Sequence, residues 1–83
     1  MNPRYFKIGG MAAVVQSDTV DLTGYNDGVY VEAAGDVAIE FTDGTSHTFT
    51  LEAKDTIACS ISKILSTGTT IADADIFTFK LDL

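Results

Sequence analysis

Val37-Ala38-Ile39-Glu40-Phe41-Thr42-Asp43-Gly44-Thr45-Ser46-His47-Thr48-Phe49-Thr50-Leu51 decides the fold. Val37, Ile39 and Phe41 alternate with Ala38, Glu40 and Thr42, a period of two with one apolar face. Asp43-Gly44 follows, a strong hairpin signal because both residues tolerate a positive φ. Phe49 and Leu51 then alternate with Thr48 and Thr50. Residues 37–41 and 47–51 are therefore two strands of one hairpin with one buried face.

The reading extends outward in both directions. Upstream, Val29-Tyr30-Val31 is β-branched and aromatic and suits a strand, and residues 33–36, which carry Gly35-Asp36, turn the chain toward the hairpin. Residues 17–28, rich in Asp, Thr, Asn and Gly, form a long loop that Val20 and Leu22 anchor to the core. Residues 11–16 (MAAVVQ) are the first strand of the body, and residues 1–10 are an N-terminal arm or edge strand hinged at Gly9-Gly10. Downstream, a turn at residues 52–55 leads to Ile57, Cys59 and Ile61, which alternate with Thr56, Ala58, Ser60 and Ser62. Ile64-Leu65 breaks that phase, which places a bulge or bend at Lys63. A helix is the alternative over residues 57–65, but Ser60, Ser62 and the β-branched residues are weak helix formers. Residues 66–70 (STGTT) turn the chain, and residues 76–81 are the last strand, with Phe77, Phe79 and Leu81 on one face. Phe41, Phe49, Phe77 and Phe79 are all assigned to core faces.

Six to eight short antiparallel strands without a long helical pattern give an all-β domain, a small β-sandwich or barrel, with a jelly roll among the arrangements allowed. Eleven threonines agree, since Thr suits a pleated, half-buried surface. Eighty-three residues make one domain, residues 11–83, preceded by the arm. A domain of this size buries only ~60% of the surface its unfolded chain exposes, so oligomerisation is an expected reinforcement.

Composition excludes several functions. A net charge of −7, with only five Lys and Arg residues, opposes phosphate backbones, so no nucleic-acid partner is expected. No apolar run approaches the ~20 residues that cross a bilayer, and the N-terminal stretch does not read as a signal peptide, so no membrane partner is expected. Cys59 is the single cysteine, which rules out an intrachain disulfide and fits synthesis in a reducing cytoplasm.

Catalytic chemistry has little to build on. His47 is the only histidine, with Asp43 as its only nearby carboxylate in sequence, and it reads as a strand residue with a partly exposed ring. Cys59 sits between Ile57 and Ile61 on an apolar face and reads as a small core hydrophobe. Asp73-Ala74-Asp75 and Asp18…Asp21 resemble fragments of a calcium loop, but Ile76-Phe77 follows at once and no closing Glu appears. One His and one Cys do not make a zinc site, and no Gly-Lys-Ser/Thr marks a phosphate loop. No catalytic residue, cofactor or metal ligand is assigned, and the chain is read as not an enzyme. The candidate interface residues are aromatic: Tyr5 and Phe6 in the arm, Tyr25 beside Asn26-Asp27, and Tyr30.

Several segments in order resemble a known family. Residues 15–22 (VQSDTVDL), then Gly28-Val29-Tyr30-Val31, Ala34-Gly35-Asp36-Val37-Ala38, Asp43-Gly44-Thr45, and residues 63–70 (KILSTGTT) resemble the head-spike base proteins of tailed phages and gene transfer agents. The pattern spans residues 15–79. Two positions depart from it: Glu52-Ala53-Lys54-Asp55 lacks the Pro and Gly of the family's turn, and Cys59 stands where a Pro often follows. The resemblance implies a β-subunit of a phage virion, made in the host cytoplasm and assembled symmetrically on the capsid as the base of a head spike or fibre. It implies the major capsid protein as partner, a spike or fibre protein as a second one, and a homo-oligomer. A pentamer would fit a vertex spike and a trimer a cement (decoration) protein bridging capsomers. A carbohydrate- or receptor-binding module of a fibre is the remaining alternative.

Overall fold

The computed structural model describes residues 7–82, and the two strands read from residues 37–51 form the centre of one of its two sheets. Seven strands follow in chain order: β1 (Ile8–Ala13), β2 (Gly28–Val31), β3 (Gly35–Phe41), β4 (Ser46–Leu51), β5 (Thr56–Ala58), β6 (Ile61–Leu65) and β7 (Ile76–Leu81). A single 3-10 turn, Asp73–Asp75, precedes β7. The strands make a four-stranded sheet in the order β1-β7-β2-β5 and a three-stranded sheet in the order β4-β3-β6, with every pairing antiparallel. The domain is all-β and sandwich-like.

The hairpin forms as its pattern dictates. Val37 pairs with Phe49, Ile39 with His47 and Glu40 with Ser46. At its tip Phe41 N–H donates to Thr45 O at 2.7 Å, leaving a three-residue loop. Only Gly44 adopts a positive φ, 92°, while Asp43 uses its carboxylate to accept from Thr45 N–H and Oγ1. Val37 and Ile39 are fully buried, and Phe41 and Phe49 pack edge-to-face, 6.3 Å apart, against the core's margin.

The core lies between the sheets. Val29, Val31 and Ile76 from one sheet meet Val37, Ile39, Ile61 and Ile64 from the other, with Val14, Leu51 and Ile71 closing the ends. The chain changes sheets at Cys59-Ser60: β5 pairs with β2, whereas β6 pairs with β3. The segment is a strand, not a helix. Its irregularity falls opposite Glu40 and Phe41, whose partners are Lys63 and Ile61, so the unpaired residue is Ser62 rather than Lys63.

Four local expectations are corrected. Gly9-Gly10 is no hinge: both residues lie inside β1, which pairs with β7 from Ile8 onward and carries a bulge at Gly9. Gly35-Asp36 opens β3 instead of turning before it. Leu22 packs against the core, but Val20 is exposed and anchors nothing. Phe77 and Phe79 do not face the inter-sheet core. Val29 pairs with Thr78 and Val31 with Ile76, so Ile76 and Thr78 take the inner face and Phe77 and Phe79 the outer one. Phe79 is nevertheless fully buried there, its ring laid across Gly28. Thr78 shows why a period-two pattern is ambiguous in this strand: both of its faces are covered.

Candidate interface surface

The residues that sequence reasoning weighed for chemistry are dispersed. His47 is exposed on β4 with its ring 4.7 Å from that of Phe49. Cys59 is half-buried at the sheet crossover, and burial raises its thiol pKa, which keeps it protonated and a poor nucleophile. Asp73 accepts a hydrogen bond from Gln16 N–H at 3.3 Å, and Asp18 accepts from Thr67 N–H at 3.0 Å and Thr67 Oγ1 at 2.7 Å. Those two Thr67 bonds, the backbone one first, hold the Asp18 carboxyl below its usual range. Among the described residues, no three His, Cys, Asp or Glu side chains gather in a geometry that could hold a metal ion.

Of the four aromatic interface candidates, the two that are described, Tyr25 and Tyr30, do not share a face. Tyr5 and Phe6 lie outside the described residues. Tyr25 adopts φ 54° and lies against Gly10, with Lys80 Nζ 5.4 Å from its ring centroid. One face of the ring is thus already engaged by a cation. Tyr30 stands on the outer face of the four-stranded sheet, 6.4 Å from Phe77. Gly10 and Lys80 pair with each other on the inner side, so Tyr25 and Tyr30 serve opposite faces of that sheet.

Sequence reasoning missed a different surface. Ile8, Met11, Val15 and Val20 are the large apolar side chains left exposed among the described residues. They follow β1 and the connection that leaves it. Beside them a groove of about 410 Å³ is lined by Ala13, Val15, Val20 and Leu22, with Gln16 and Asp21 at its polar rim. Residues 11–16 (MAAVVQ) read as the first strand of the body; the strand instead spans Ile8–Ala13, and of residues 11–16 only Val14 is buried. Their lack of alternation was the available signal: a strand with no polar face, bordered by glycines, can be an unprotected sheet edge as readily as a core strand.

No protein-family model, curated protein or solved structure matches this chain.

Proposed function

We propose that this chain is a non-enzymatic structural subunit of a phage-like virion, attached to the capsid as a head-spike or fibre base or as a decoration protein. The observation that carries the reading is the exposed apolar line along β1, an assembly feature on a small domain, where a ligand site would need convergent polar groups. The two-sheet β-domain is also the fold that the resemblance of residues 15–79 implies. The net charge of −7 suits a soluble component displayed on a particle. The action is static: one surface binds the major capsid protein, and the loops or a bound spike or fibre protein face outward.

Cosedimentation tests it. Purified protein added to particles of its own source, stripped of their accessory proteins, is expected to pellet with them at a saturable ratio. Protein that stays in the supernatant at every concentration sinks the reading. The symmetry of the bound protein then separates its forms, five-fold for a vertex spike base and three-fold for a cement protein.

A further inference from the structure

Ile8, Met11, Val15 and Val20 are 41, 43, 77 and 68% exposed; Ile8 and Met11 lie on β1, and Val15 and Val20 line the groove beside its end at Ala13. That strand, β1, is the outermost of its sheet, and its sequence IGGMAA contains no charge. Sheet edges are normally protected by lysines, prolines or inward charges, because free N–H and C=O groups invite a further strand. Here the bulge at Gly9 is the only such device on β1.

The hydrogen-bond phase shows which groups are free. Val14 N–H donates to Ile76 O, whereas Phe79 O accepts from Asp27 N–H on the side away from β1. Antiparallel ladders alternate, so Met11, which stands opposite Phe79, turns its own N–H and C=O toward the open edge.

We propose that β1 pairs antiparallel with β1 of a second copy of this chain, about a two-fold axis at Met11, joining two four-stranded sheets into one of eight strands. The two Met11 residues then exchange both main-chain hydrogen bonds. Across the bulge, Ile8-Gly9 of one copy meets Ala13 of the other. This sets Ile8 at the mouth of the groove lined by Val15, Val20 and Leu22 and covers all four exposed apolar positions.

Charge sets the orientation. Lys7, exposed at one end of β1, is without an ion pair or ring contact among the described residues. Lys54 holds Glu32, Lys63 holds Asp21 and Glu40, and Lys80 lies over Tyr25. The other end of β1 leads to Asp18 and Asp73, neither of which has a cationic partner among the described residues. Antiparallel pairing brings each Lys7 to the acidic end of the other copy. A parallel arrangement would set Lys7 against Lys7. The inference draws on the same exposed residues as the capsid reading; a two-fold pair takes them up, so a particle would then be met through another surface.

Light scattering after gel filtration, run on the full chain over a dilution series at ~0.15 M salt, tests it. The expected mass rises toward twice the 8.8 kDa of one chain at the concentrated end. Met11→Lys puts two ammonium groups face to face on the axis and should weaken association at least ~10-fold with an unchanged circular dichroism spectrum. Ser46→Lys, on the free edge of β4, should dimerise like the parent. A single-chain mass at every concentration overturns the proposal. So does a trimer or pentamer, which would mean that β1 closes a ring against a different strand. Equal association of Met11→Lys and the parent, or equal loss in Ser46→Lys, overturns it as well.

Discussion

Two glycines show how differently single positions are constrained. Gly44 needs its backbone conformation: φ is 92°, and a Cβ there would meet nothing within 4 Å. Gly28 needs its missing side chain, since a Cβ would overlap the Phe79 ring and the Ile57 carbonyl oxygen. Strain in the left-handed region costs about 1 kcal/mol for a non-glycine residue. Overpacking against backbone stands at the upper end of about 1–3 kcal/mol or above it. Gly28→Ala should therefore lower the melting temperature by roughly 10–20 °C, and Gly44→Ala by roughly 4–8 °C. Thermal melts of the two variants side by side check this. Equal shifts would mean that Phe79 does not pack over Gly28. The sequence marks Gly44 plainly, because Asp-Gly between alternating segments is a local pattern. It says nothing about Gly28, whose constraint comes from a phenylalanine fifty-one positions away in β7.

The same contrast holds among the elements. The β3-β4 hairpin was legible because its alternation and its turn are neighbours in the chain, and the register of Val37 with Phe49 follows from the turn. β7 was legible as a strand but not in its facing, because Ile76-Phe77-Thr78-Phe79 is covered on both sides and only its pairing with β2 picks the inner set. Nothing local in Tyr25 or Tyr30 tells which sheet face each one serves. Residues 17–28 read as a loop, and the connection of residues 14–27 indeed has no strand of its own, yet it protects an edge. Ser17 N–H donates to Ile64 O at 2.9 Å and Leu22 N–H to Ser62 O at 2.8 Å, so it runs along β6 and closes that side of the three-stranded sheet. Asp18 fastens it to the turn after β6 through Thr67. The folded Asp18 carboxyl titrates below its ordinary 3.8, so its stabilising contribution is complete above pH 3.8 and is lost as the pH falls through the lower folded value. Asp18→Asn should melt below the parent at neutral pH, and the gap should close as the pH is taken below 3.8. A gap that stays constant over that range would show that the charge of Asp18 contributes nothing to the tether.

For the molecule as a whole, apolar attraction at one edge competes with repulsion between two bodies of net charge −7. With centres about 25 Å apart, one principal extent of the domain, such charges repel by ~8 kcal/mol in unscreened water. Screening lowers this to ~3.5 kcal/mol at 0.01 M salt, where the Debye length is ~30 Å, and to below ~0.5 kcal/mol at 0.15 M, where it is ~8 Å. The two Lys7 contacts across the proposed axis are exposed and contribute only ~0–1 kcal/mol each. They fix the direction of pairing but do not offset the global term at low salt. The net electrostatic effect therefore opposes association, and salt should strengthen it. Between 0.01 and 0.15 M the association constant should rise at least ~10-fold and toward ~100-fold, the reverse of an interface held by ion pairs. Sedimentation equilibrium at the two ionic strengths measures it directly. Association that weakens with added salt would place the attraction in Lys7 and the acidic end of β1 instead of in Ile8, Met11, Val15 and Val20. Lys7→Gln would then weaken the pair more than Met11→Lys does.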